Sequence, residues 1–103
     1  MSPNYSQTGG ARVGRSWFSA RNVTWPFAKL EVGESELVLT CLGRRVFPRD
    51  AIQKLSKHNG IFFVGLRIEH SVDRTPAYVV FWTFGFAQLQ RELEQRGYTV
   101  SAN

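Results

Sequence analysis

Apolar and polar residues alternate with a period of two along most of this chain and switch once, near the C-terminus, to a spacing of three and four. Period two is the signature of a strand with one buried face, and the longer period is that of an amphipathic helix. Ala28, Leu30 and Val32 alternate with Lys29 and Glu31, and after the turn Gly33-Glu34-Ser35 the pattern resumes with Leu37, Leu39 and Cys41, which makes a hairpin. Pro26 cannot donate to a ladder, so it belongs at an edge, a bulge or a strand start. Arg44 to Pro48 reads as a third strand after the turn at Gly43. The segment from Ala51 to His58 fits either a strand or a helical turn, and its β-rich surroundings favour the strand. Asn59-Gly60 is a tight-turn signal ahead of Ile61 to His70, in which Gly65 is expected to interrupt the strand as a bulge or turn. Ala77 to Trp82 is unbroken β-branched and aromatic text, as in a strand covered on both faces. Phe86, Leu89 and Leu93 then mark a helix of about three turns that stops at Gly97.

Many short strands followed by one helix exclude a parallel βαβ sheet and imply a small barrel or sandwich with the helix across an opening. The chain has 103 residues, enough for one core. Residues 1–15 are mostly Ser, Gly, Gln, Asn and Arg and read as a disordered basic tail, leaving 16–101 as a single folded domain. A single cysteine and the lack of a signal-peptide pattern set the expectation of a reduced, cytoplasmic compartment.

The order of elements and three strings, NVTWPFAKLEV, GLRIEH and AYVVFWTFGFAQLQRELEQRGY, resemble a group of small, functionally uncharacterised bacterial proteins with a pleckstrin-homology-like (PH-like) fold. The resemblance covers about residues 22–99 and implies a mainly β fold with one C-terminal α-helix. In that fold about seven antiparallel strands, in two sheets, form a bent barrel capped by the helix. A small OB- or SH3-like barrel is the alternative. Eukaryotic PH domains that grip phosphoinositides do so with basic residues around the first two strands. Here the turn read as corresponding, Val32 to Glu36, carries two acids, so that lipid site is not expected to carry over.

Net charge is +5, of which Arg12, Arg15 and Arg21 in the leading segment supply three. The other concentration is Arg44, Arg45, Arg49, Lys54 and Lys57, facing only Asp50, and these five form the candidate binding patch. They read either as a site for an anionic partner or as a solvated face, and only a patch joined to the leading arginines would be persuasive. Trp25, Phe27 and Lys29 share the strand face opposite Ala28 and Leu30. Aromatics interleaved with basic residues suit single-stranded nucleic acid, but the expectation is that Trp17 and Phe18, or the helix, cover these rings. The run Ile61-Phe62-Phe63-Val64 is either covered on both sides or packs on a partner or a second copy, which allows a homodimer.

Catalytic signatures are lacking. His58 and His70 have no ligands at metal spacing, Cys41 sits on an apolar strand face, no serine lies on a nucleophile elbow, and no glycine-rich phosphate loop is present. The expectation is therefore a non-catalytic binding or scaffolding module without metal or cofactor. A protein partner ranks first, an anionic membrane surface second and single-stranded nucleic acid third.

Overall fold

A computed structural model describes residues 4–16, 19–41, 43–60 and 63–102. It shows eight strands, β1 (Tyr5–Gly14), β2 (Ala20–Val32), β3 (Glu36–Thr40), β4 (Arg44–Pro48), β5 (Ile52–Asn59), β6 (Val64–His70), β7 (Tyr78–Thr83) and β8 (Val100–Ser101), with one helix, α1 (Phe86–Gln95), between β7 and β8. They form one curled sheet, a half-barrel, in the order β4-β3-β2-β1-β7-β6-β5-β8. All neighbours are antiparallel except the two-residue β8, which runs parallel to β5 at Leu55↔Val100 and Ser56↔Ser101. The mainly β architecture with one C-terminal helix is as expected, but the strands make a single sheet and number eight.

The leading segment is the main correction. Residues 5–14 are not a disordered tail: they form β1, in the middle of the sheet, paired with β2 on one side and β7 on the other. Its inward residues are small because its neighbours press close. A Cβ added at Gly9 would lie 2.1 Å from the Trp82 carbonyl oxygen, and Ala11 is fully buried. The strand therefore belongs to the core without the large apolar residues that announce one.

The concave face holds Leu30, Leu37, Leu39, Phe47, Leu55, Leu66, Ile68, Val79 and Phe81, each with no more than 1% of its surface exposed. Against it α1 packs Phe86, Leu89 and Leu93, as their spacing implied. The helix ends at Gly97, whose positive φ lets the Tyr98 amide reach back to the Leu93 carbonyl. The ambiguous segment Ala51 to His58 is resolved: Arg49–Ala51 make one 3-10 turn, and strand β5 follows. β7 is buried on both faces from Tyr78 to Phe81.

Gly65 forms neither a bulge nor a turn. Pairing of β5 with β6 runs unshifted through Lys57↔Leu66, His58↔Gly65 and Asn59↔Val64. The glycine is there for clearance, since a Cβ would meet Val80, the Phe81 carbonyl and the Trp82 ring at 2.8–2.9 Å. Pro26 does sit in a bulge. β1 pairs with β2 at Gly9↔Ala28 and next at Ala11↔Val23, so Thr24 to Phe27 bow outward opposite Gly10 alone. No helix among the described residues is long and apolar enough to cross a membrane.

Candidate binding surface

The five basic residues of the candidate patch do not share one face. Arg45 pairs with the core residue Leu39 and so points to the concave side, whereas Arg44, one residue earlier, is exposed on the other. Arg49 is a structural residue: its Nη1 donates to the Glu34 carbonyl at 2.7 Å and the Arg96 carbonyl at 2.8 Å, and its guanidinium lies 4.3 Å from the Tyr98 ring centroid. Lys54 stands opposite Glu69 on the convex side. Lys57 stands opposite the core residue Leu66, its Nζ 5.7 Å from the Phe86 ring centroid. Alternation along β4 and β5 separates what lies close in sequence.

One of the five does join the leading arginines. Arg45, Arg15 and Arg21 line a cleft of about 500 Å³ with Cys41, Val13, Val23 and Pro76, and among the described residues no acid lines it. Burial pushes the Cys41 thiol up, and the Arg45 guanidinium beside it works the other way. The connection from β1 to β2 thus carries Arg15, while the acidic turn at Gly33–Ser35 joins β2 to β3.

The second feature is aromatic. Trp25 is 53% exposed, Phe27 73%, Phe63 42% and Phe84 71%. Neither the helix nor any other described element covers the Trp25 and Phe27 rings, contrary to the expectation that they seal the core; Trp17 and Phe18 lie outside the described residues. Three of the rings touch. Phe84 meets Trp25 edge-on at 5.9 Å between centroids and Phe63 at 5.0 Å. Ile61 and Phe62, the rest of the apolar run, are outside the described residues.

Local chemistry holds these rings outward. Trp25 rides on the β2 bulge, whose backbone rests on Gly10: a Cβ there would lie 2.6 Å from the Val23 carbonyl oxygen. Phe84 is clamped by its neighbours. The Thr83 hydroxyl donates to Gln7 Oε1 and accepts from the Gly85 amide at 3.0 Å, while Gln7 Nε2 donates to the Gly85 carbonyl at 3.0 Å. Between the rings opens a cavity of about 460 Å³, walled by Trp25, Phe63, Trp82 and Phe84, with Asn22, Thr24 and Thr83 as its side-chain polar groups. That is within the size range of ligand sites.

Register extends this surface. Trp82 pairs with Gly10 and Gly65, and Val80, two residues away on the same convex face, pairs with Arg12 and Arg67. Arg12 Nη1 donates to Asn22 Oδ1 at 2.8 Å, so a guanidinium backs the cavity wall directly. The Arg67 guanidinium lies 5.4 Å from the Tyr78 ring centroid. Burial raises the Tyr78 hydroxyl, and both arginines oppose that. His58 packs on Trp82 at 5.3 Å, and burial, then the charge of Arg67, holds its imidazole below the ordinary value.

The remaining titratable candidates are committed to structure. His70 Nε2 lies 2.9 Å from the Pro76 carbonyl and Nδ1 accepts the Val72 amide at 3.0 Å, so both ring nitrogens hold the β6–β7 loop. Among the described residues no three His, Cys, Asp or Glu are grouped to hold a metal ion. No protein-family model, curated protein or solved structure matches the chain.

The aromatic site was half visible in the sequence. Two large aromatics flanking a proline in a strand are a signal for a bulge, because proline removes a ladder bond. Phe84 was lost in the apolar text leading into α1, where nothing local distinguishes a ring facing solvent from one facing the core.

Proposed function

We propose that this chain is a non-catalytic, PH-like binding or scaffolding module of the cytoplasm that docks a protein partner on its aromatic convex surface. The PH-like reading is supported by the curled antiparallel sheet with a C-terminal helix packed on its concave face. The observation that carries the docking reading is the set of exposed rings Trp25, Phe27, Phe63 and Phe84, with Phe84 in contact with both Trp25 and Phe63. With 150–250 Å² per aromatic side chain, the three rings linked through Phe84 leave roughly 300 Å² of ring surface open. That is the size of a typical monomer's largest apolar patch, a class that is often functional. Aromatic residues beside arginine are also the composition of binding hot spots.

Affinity capture from native lysate with the wild-type chain and a Trp25→Ala/Phe84→Ala variant tests the reading. Both residues are more than half exposed, so the variant keeps its thermal stability and loses the captured protein. Identical captured sets from the two proteins reject it. A homodimer through the same surface shows up as a concentration-dependent mass in sedimentation.

The arginine-lined cleft favours a second reading, peripheral binding to anionic lipid. Arg15, Arg21 and Arg45 line it together, with no acid among the described lining residues. Sedimentation with phosphatidylserine-containing vesicles then weakens steeply with added salt and is lost in Arg15→Gln/Arg45→Gln.

A further inference from the structure

The convex surface constrains the chemistry of what docks on it, an inference that rests on the docking reading above. The cavity lining carries no charge. Side chains on one face of a strand repeat every second residue, about 6.6 Å apart. Trp82 and Val80 are one such step apart, and Val80 lies between Arg12 and Arg67 in the register. An extended segment lying along β7 would therefore present one side chain to the aromatic cavity and the next on that face to the two guanidiniums. One row further on, Lys54 and Glu69 face each other across β5 and β6 and balance, so the two arginines set the sign of the surface.

We propose that the surface binds an extended peptide segment of a partner protein bearing a large apolar side chain followed, two positions away, by a carboxylate. The apolar group enters the cavity between Trp25, Phe63 and Phe84, and the carboxylate meets Arg12 and Arg67. A guanidinium binds a carboxylate in two-pronged geometry, and carboxylate is the anion an unmodified peptide side chain supplies. A second copy of the chain is disfavoured as occupant, because it brings the same cationic row and a net charge of +5 to the contact. Single-stranded nucleic acid is disfavoured by ring geometry: Phe84 meets Trp25 at 72° and Phe63 at 68°, edge to face, whereas bases need open parallel faces.

The test is selection of a phage-displayed random dodecapeptide library on the full chain, in parallel with Phe84→Ser and Arg12→Gln/Arg67→Gln variants whose folding is verified by thermal melting. The expected result is enrichment of an apolar residue with Asp or Glu two positions away. Selected peptides, measured by fluorescence anisotropy, bind Phe84→Ser at least about tenfold more weakly. Against the arginine variant they lose their preference over Lys-substituted versions. A labelled dT12 oligonucleotide binds no more tightly to wild type than to Phe84→Ser. Enrichment that needs Phe84 but shows no acidic position overturns this inference and leaves the docking reading standing. Failure of any sequence to enrich over the Phe84→Ser control overturns the inference too. If lysate capture is also indifferent to Trp25 and Phe84, the docking reading falls with it. Tight, Phe84-dependent binding of dT12 replaces the peptide with nucleic acid.

Discussion

Replacing Gly10 with alanine tests the link between the centre of the sheet and the aromatic surface. The new methyl carbon would lie 2.6 Å from the Val23 carbonyl oxygen and 3.1 Å from the Trp25 nitrogen. Both are backbone atoms at the root of the β2 bulge, so relief requires the segment from Val23 to Trp25 to move; no side-chain rotation suffices. Overpacking of this kind costs about 1–3 kcal/mol. The lost freedom of the unfolded chain returns about 0.4–1 kcal/mol. The net is a destabilisation of about 1–2 kcal/mol, or a fall in Tm of roughly 5–15 °C for a domain of this size. Thermal melting by circular dichroism, with guanidinium titration to confirm an unchanged m-value, reads it directly. The displaced bulge carries Trp25 with it, so partner capture weakens in the same variant. A Gly10→Ala chain that melts at or above the parent temperature refutes the claim that β1 is pinned by close backbone approach.

Other expectations follow from the same structure. Deleting residues 1–14 removes the strand between β2 and β7 and abolishes cooperative folding, seen as loss of a thermal transition; a truncated chain that folds normally contradicts the central placement of β1. Arg49→Ala removes two charged hydrogen bonds to carbonyls and a ring contact, and costs about 2 kcal/mol in denaturant titration. The folded chain holds His58 below its ordinary value, so the unfolded chain takes up the proton first. Stability attributable to this group is therefore intact above the unfolded pKa of about 6.5 and declines as pH falls below it, levelling once the folded form is protonated too. Unfolding titrations between neutral and mildly acidic pH show that decline, and His58→Gln flattens it.

The elements most legible in the sequence were those whose buried residues are large. Leu37, Leu39 and Phe47 marked the hairpins, and Phe86, Leu89 and Leu93 marked the helix. β1 was illegible for the opposite reason: its inward positions are Gly9, Ala11 and Val13, sized by the closeness of β2 and β7, and period-two reading has little to detect when the buried residues are small. Without β1 in view, the meeting of Arg15 and Arg21 with Arg45 was hidden. Gly65 misled similarly, because clearance for the Trp82 ring and a bulge call for the same residue. Charge grouped in sequence failed as a guide to charge grouped in space, since strand alternation sends Arg44 and Arg45 to opposite sides. The exposure of Trp25 and Phe84 depends on the β2 bulge and on the Gln7 clamp, contacts made with β1 from far along the chain.

Arg49 has a meaning beyond its own energy. β4 and β8 stand at the two ends of the hydrogen-bonded order, so the half-barrel has a seam with no ladder across it. The backbone crosses that seam where Arg49–Ala51 lead from β4 into β5, and side chains add to it: Arg49 reaching to the turn after β2 and to the end of α1, the Tyr98 hydroxyl donating to the Gly33 carbonyl at 2.8 Å, and the Phe47 ring against His70 at 4.8 Å. A crack opened along this line breaks a few contacts and no strand pair. Amide exchange should therefore find its fastest protected positions beside the seam and its slowest in β1 and β7, the two strands with a full partner on either side at the centre of the order.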